Sequence, residues 1–264
     1  MLVGKRELVV GASAGIGRAI ALRAARAGAQ VAVAARRRDA LDALVAEVGG
    51  GTAITADISV PGDCTRLVEE AVASLGTIDV VVFAAATARL RTLRSLTADE
   101  WATTLNTNLV GVNLTISALV PHLAPHAIVG VLSSESAGRP YYALGAYAAS
   151  KSAVEDTLRA WRVEHPTARF TTLVVGSTVP TDFGSNFDPD EMVAAFPVWA
   201  AQGNAPAEFM QCDEVADVAV GLFEVLLPNP SVGMETIVLR SPSPLTGSTD
   251  SMTAAATEAA GGPS

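Results

Sequence analysis

Cysteine is almost missing from this chain. Cys64 and Cys212 are its only two, without the spacing of a metal site or a disulfide framework, so two reduced thiols are expected. Histidine is nearly as scarce. His122 and His126 stand at i, i+4, but Pro121 and Pro125 break the helix that such a ligand pair needs, and His165 is alone. No metal site is expected. No uninterrupted apolar run reaches the roughly 18 residues of a membrane span. Lys5 and Arg6 are not followed by the apolar core and cleavage site of a signal peptide, so a cytoplasmic protein is the expectation. Positive charge is in deficit as well. A net charge of −9 repels nucleic acid phosphates and anionic membranes, which are therefore not expected partners. No internal repeat is visible.

What is present points to one α/β domain. The 264 residues, half of them hydrophobic, are enough to bury a core on both faces of a sheet. Strand and helix signals alternate, the pattern of a parallel sheet with crossover helices. Glu7–Gly11 reads as a buried strand, followed by a helix from Ala19 to Ala27 closed by Gly28. Next come a strand at Gln30–Arg36, a helix at Arg38–Val48, a strand at Ala53–Ala56, a helix at Pro61–Leu75 and a strand at Val80–Ala85. Thr97, with Glu100 at the capping-box position, starts a long helix that runs to about Val120. A strand at Ala127–Ser133, a helix at Tyr147–Glu164 and a strand at Arg169–Val175 continue the rhythm. A helix at Asp213–Leu227 and a seventh strand at Thr236–Arg240 complete it.

Two segments depart from this pattern. Ser177–Gln211 is Pro-interrupted and carries Phe183, Phe187, Met192, Phe196, Trp199, Phe209 and Met210, and is read as a substrate lid. Ser241–Ser264 is rich in Ser, Thr, Ala, Gly and Pro and is expected to be a disordered tail. The domain itself is assigned to residues 1–240. Lone Trp101 and Trp161 are read as helix-packing residues.

Two motifs carry chemistry. Tyr147-Ala148-Ala149-Ser150-Lys151 places a phenol and an ammonium one turn apart on one helical face. A neighbouring ammonium favours the phenolate, so a group that ordinarily titrates near pH ~10 can exchange protons at neutral pH. Ser134, thirteen residues earlier, supplies a hydroxyl that can hold a carbonyl or alcohol oxygen. At the other end of the chain, Gly11-Ala12-Ser13-Ala14-Gly15-Ile16-Gly17 joins a strand to a helix. Its glycines allow a tight turn and close approach to a diphosphate, which the helix N-terminus stabilises.

Together these motifs resemble the classical, single-domain short-chain dehydrogenase/reductase family, over about Lys5 to Arg240. Asp57 after the third strand and Asn108-Leu109-Val110-Gly111 in the central helix fit the same pattern. The resemblance implies a Rossmann-like, doubly wound parallel sheet of about seven strands flanked by helices. It implies hydride transfer between nicotinamide and a carbonyl/secondary alcohol pair on a small molecule, with Tyr147 as acid–base and Ser134 holding the oxygen; the apolar residues of the lid point to a partly hydrophobic substrate. Lys151 would lower the Tyr147 pKa and bond the nicotinamide ribose, and the bent backbone at Asn108 would hold a water linking Lys151 to solvent. Cofactor contacts are expected from Gly11, Ser13, Ala14, Gly15, Ile16, Gly17, Ala84, Ala85, Tyr147, Lys151 and Gly176, from Asp57 and Ile58 beside the adenine, and from Thr178 or, with a shifted register, Thr181. A homodimer or homotetramer built on the Asn108 and Tyr147 helices is implied too.

Cofactor choice turns on the end of the second strand. Ala35 stands where NAD-using relatives place a carboxylate, and Arg36-Arg37-Arg38 follows. Guanidinium forks bind phosphate, so NADP(H) is preferred, with Arg36 the first candidate and Arg37 the second. NAD(H) use by the same enzyme and a catalytically idle cofactor-binding sensor are the alternatives. Some positions depart from the family pattern: Val10 before the first glycine, Phe83-Ala84-Ala85-Ala86 after the fourth strand, and Val175 before Gly176. If Val10 touches Phe83 and Ala84, the two apolar changes remove both partners of one polar link and leave no orphan. Glu135, Tyr141 and Tyr142 are expected near the pocket.

Overall fold

The computed structural model describes residues 1–242 and 245–246. Its first half runs β1 (Arg6–Val10), α1 (Gly15–Arg26), β2 (Gln30–Ala35), α2 (Arg38–Glu47), β3 (Thr52–Thr55), α3 (Pro61–Leu75), β4 (Ile78–Phe83) and α4 (Ala98–Leu105). A π-helical segment (Asn106–Val110), α5 (Gly111–Leu119) and a 3₁₀ turn (Val120–His122) lead to β5 (Leu123–Ser134). Then come α6 (Glu135–Gly138), α7 (Gly145–Glu164), β6 (Arg169–Val175), β7 (Thr178–Val179), α8 (Pro189–Ala201), β8 (Ala205–Pro206) and β9 (Met210–Gln211). The described chain ends with α9 (Cys212–Leu226), β10 (Thr236–Leu239) and β11 (Leu245–Thr246).

Seven parallel strands form one sheet in the order β10-β6-β5-β4-β1-β2-β3. This is the doubly wound arrangement expected from the alternating pattern. Every residue of β4 is buried, as suits a strand covered on both faces. In β1 the side chains alternate: Val9 joins the core under α1 and α9, whereas Leu8 and Val10 join the core under α3, α5 and α7. No helix among the described residues is long and apolar enough to cross a membrane.

The long central helix expected up to about Val120 is present, but it is not one uninterrupted α-helix. Its start is as read, with Glu100 N donating to Thr97 Oγ1 at 3.2 Å and Thr97 N donating to Glu100 Oε2 at 2.9 Å. It then passes through the π-helical segment at Asn106–Val110 before α5 resumes. Gly111 ends this segment against the loop after β3, where a Cβ would come within 2.0 Å of the Ile58 carbonyl oxygen. π segments interrupt helices mostly at functional sites, and this one carries Asn108.

The expected tail is corrected at one point. Leu245–Thr246 pairs antiparallel with Ala205–Pro206, so the chain returns to the body of the protein after Ser241. Residues 243–244 and 247–264 of that tail lie outside the described residues.

One buried group in β1 has no counterpart in the sheet. Glu7 is fully buried, and neither carboxyl oxygen has a hydrogen-bond partner among the described residues. Burial pushes its pKa up to about 8. Between the unfolded carboxyl's value near 4.5 and the folded value near 8, the folded protein holds a proton that the unfolded chain lacks. Stability from this group therefore falls as pH rises through that window, by at most about 1.4 kcal/mol per pH unit, and is level above it. Denaturant unfolding of Glu7→Gln should show the variant gaining on wild type from pH 5 to pH 8. Parallel stability curves would show that Glu7 titrates alike in both states.

Candidate active site

The sheet order reverses between β1 and β4, and a crevice opens there at the carboxyl ends of the strands. Backbone contacts shape it. Ala84 N and Ala85 N both donate to the Val10 carbonyl, at 2.7 and 3.0 Å. Val10 and Phe83 are register partners, each almost fully buried, so the two apolar departures do meet and leave no buried polar orphan. Gly11, at φ +93°, lies so close to the β4 loop that a Cβ would be 2.3 Å from Ala85 N. A Cβ on Gly17 would be 2.3 Å from the Gly11 carbonyl oxygen. Only glycine fits either position.

The crevice widens into a cavity of about 620 Å³, within the size range of small-molecule and cofactor sites. Gly11, Ser13, Ala14, Gly15, Ile16 and Gly17 line it at one end, with Arg36, Arg37, Asp57 and Ile58. Ala84, Ala85, Gly176, Thr178 and Thr181 line its middle, and Ser134, Tyr147 and Lys151 its far end. A glycine cradle that admits no side chain, opening beside guanidinium groups, fits a dinucleotide diphosphate. Asp57 is partly committed already, since its Oδ1 accepts from Ser59 N at 2.9 Å and Ser59 Oγ at 2.7 Å.

At the far end Ser134 lies near enough to the Tyr147 phenol to act against the rise in its pKa. Ser134 ends β5 and caps α6, its Oγ accepting from Ser136 N at 3.2 Å and Ser136 Oγ at 3.0 Å. Lys151 Nζ donates to the Leu132 carbonyl at 2.7 Å and lies 5.7 Å from the Tyr147 ring centroid. The expected lowering of the Tyr147 pKa does not hold here. Burial pushes the phenol up to about 12, outweighing the opposing effect of the nearby Ser134 hydroxyl. Burial likewise pushes Lys151 down to about 8, against the charge of Glu155, which raises it. Desolvation wins because both groups, though they line the cavity, are almost fully buried.

Asn108 is not among the cavity-lining residues. It is buried behind them, where its Oδ1 accepts from Thr87 N and its Nδ2 donates to the Thr87 carbonyl, both at 2.8 Å. The same Nδ2 donates to Ser150 Oγ at 3.0 Å, and Ser150 Oγ donates to the Tyr147 carbonyl at 2.7 Å. The side chain thus ties the loop after β4 to the helix that carries Tyr147. Of the other expected residues, Glu135 and Tyr141 line the cavity. Tyr142 does not, and its carbonyl accepts from Trp199 Nε1 at 2.8 Å. Trp161 is a packing residue as read, stacking with Phe170 at 6.0 Å and donating to Asn113 Oδ1.

The 177–211 segment supplies the cavity's apolar wall through Phe183, Phe187, Met192, Phe196, Trp199 and Phe209. Several of these pack with Tyr147 in a third core cluster, separate from the two that flank the sheet. Thr87, Ser136, Ser150 and Asp182 complete the arrangement and were not singled out by sequence. Thr87, Ser150 and Asp182 meet partners distant in sequence, whereas Ser136 bonds Ser134 two residues away.

Known proteins resemble this chain in sequence and fold. The family model of the short chain dehydrogenases matches residues 5–191. A glycine betaine reductase of Emericella nidulans is 34% identical over 197 residues, 72% of this chain but only 16% of that protein. A glucose 1-dehydrogenase of Gluconobacter oxydans is 33% identical over 204 residues, 72% of this chain and 76% of that protein. A solved short chain dehydrogenase of Burkholderia cenocepacia in complex with NADP has a TM-score of 0.77 and 27% identity, covering 94% of this chain and 99% of that one. The glycine cradle, the serine–tyrosine–lysine cluster and the match across most of the chain lead to one conclusion: this protein belongs to the short-chain dehydrogenase family.

Proposed function

We propose that this short-chain dehydrogenase is an NADP(H)-dependent oxidoreductase that interconverts a carbonyl and a secondary alcohol on a small, partly hydrophobic substrate. The observation that carries the reading is one cavity lined both by the glycine cradle and by Ser134, Tyr147 and Lys151. The nicotinamide supplies or accepts the hydride when bound. Ser134 holds the reacting oxygen and Tyr147 exchanges its proton. A phenol pushed up to about 12 is protonated at neutral pH, the form that gives a proton to an oxygen during reduction. Lys151, pinned on the Leu132 carbonyl, keeps a positive charge beside the ring below pH 8. Asn108 acts through Thr87 and Ser150, holding two cavity walls in register. The aromatic wall favours an apolar portion of the substrate.

The phosphate end favours NADP(H). Arg36 and Arg37 line it, and Arg37 donates to Ser13 Oγ at 3.3 and 3.0 Å from Nε and Nη2. Ser13 thus holds Arg37, not Arg36, beside the glycine loop, which makes Arg37 the stronger candidate for a 2′-phosphate. Arg38 is turned to Asp42, one helical turn on. The Burkholderia cenocepacia neighbour solved with NADP agrees with this choice. The 177–211 segment acts as the lid, and a homodimer or homotetramer forms on the central helices, where Val110 and Leu114 are exposed.

Tyr147→Phe keeps the ring and deletes the proton carrier, so turnover should fall roughly 10²–10⁴-fold with cofactor affinity nearly unchanged. Steady-state kinetics with a carbonyl panel would read this, and turnover within a few-fold of wild type would remove Tyr147 from the reaction. Nucleotide titration should give NADPH at least about tenfold tighter binding than NADH, a gap that narrows with salt and largely closes in Arg37→Ala. Hydrogen exchange across 177–211 should slow when cofactor and substrate are added together. Equal protection with and without ligands would make the segment a static wall.

A further inference from the structure

Three consecutive residues of the 177–211 segment touch both ends of the cavity. Thr181 lies over the glycine loop, where a Cβ on Gly15 would come within 3.4 Å of its Cγ2. Phe183 packs on the catalytic ring, its centroid 4.9 Å from that of Tyr147. Between them, Asp182 Oδ2 lies 2.6 Å from Arg37 Nη2. The guanidinium that faces the phosphate end therefore already holds a carboxylate, and the same nitrogen also donates to Ser13 Oγ. Arg36 and Asp182 line the cavity beside it.

We propose that Asp182 is a specificity-determining residue of the cofactor site, competing with an adenosine 2′-phosphate for the Arg37 guanidinium. The proposal rests on the reading of this cavity as a dinucleotide site with Arg37 at its phosphate end. A guanidinium edge that is paired with a carboxylate is not free for phosphate, and the two anions repel each other if both remain. The unphosphorylated dinucleotide puts only a neutral ribose hydroxyl there and meets no such competition. The side chains of Arg37 and Asp182 are 55% and 52% exposed, so water screens the pair and a phosphate can displace it. Asp182 thus sets the size of the preference between the two cofactors without reversing it.

The test is a fluorescence titration of NADPH and NADH against wild type, Asp182→Asn, Arg37→Gln and the double variant. Asp182→Asn should tighten NADPH roughly three- to tenfold and leave NADH within about twofold. In the Arg37→Gln background, Asp182→Asn should no longer change either affinity, the signature of two residues acting through one contact. The proposal is overturned if Asp182→Asn leaves NADPH unchanged or weaker, or tightens both nucleotides alike. It is overturned as well if the gain persists without Arg37, which would mean long-range repulsion in place of competition. Equal affinity of wild type for the two nucleotides would defeat the phosphate-end reading and this proposal with it. An NADPH preference that Asp182→Asn does not alter would defeat the proposal alone.

Discussion

Two backbone amides, from Ala84 and Ala85, converge on the carbonyl of Val10, and the site is organised around that convergence. It draws the loop after β4 across the end of β1 at the point where the sheet reverses its order. The approach is close enough to exclude any side chain at Gly11, and Gly17 is confined in turn by the Gly11 carbonyl. The turn that results aims the start of α1 into the crevice, where its free amides favour a phosphate. Burying Val10 against Phe83 suits this geometry, because an apolar pair needs no further partner in the space left between the strands.

The catalytic end obeys a different constraint. Tyr147 and Lys151 share a face of α7 as the four-residue spacing requires, yet burial decides their titration. Each is driven toward its neutral form, the phenol upward and the ammonium downward. A carbonyl oxygen holds Lys151, so its buried ammonium remains hydrogen-bonded. Buried polar groups without such partners are costly, and Glu7 in β1 shows the consequence in its raised pKa.

Lid and catalytic end are built from one cluster. Ala195, Trp199 and Ala200 of α8 are buried with Leu144 and Tyr147, and Phe187, Met192 and Phe196 pack against them. The segment is therefore continuous with the wall that holds the acid–base residue. Its Asp182 pairs with Arg37, which lines the same cavity.

Much of this was readable from the chain. Alternating hydrophobic segments dictated a doubly wound parallel sheet, since strands buried on both faces and amphipathic crossovers pack in few other ways. The glycine turn and the Tyr147/Lys151 spacing are local patterns that the chain displays, and the sheet topology brings them to one cavity. Tertiary structure decided what depends on distant partners. The partners of the Asn108 amide, Thr87 and Ser150, come from a loop and a helix distant in sequence. The π-helical segment at Asn106–Val110 is tied to Gly111 pressing on the Ile58 carbonyl, a contact between elements that periodicity does not encode. The Tyr147 pKa moved up because desolvation depends on everything packed around the ring. Arg37 came to stand between Ser13 and Asp182 because the fold brings a loop, a strand end and a lid together. Spacing along a chain determines which side chains share an element; only packing determines what each one faces.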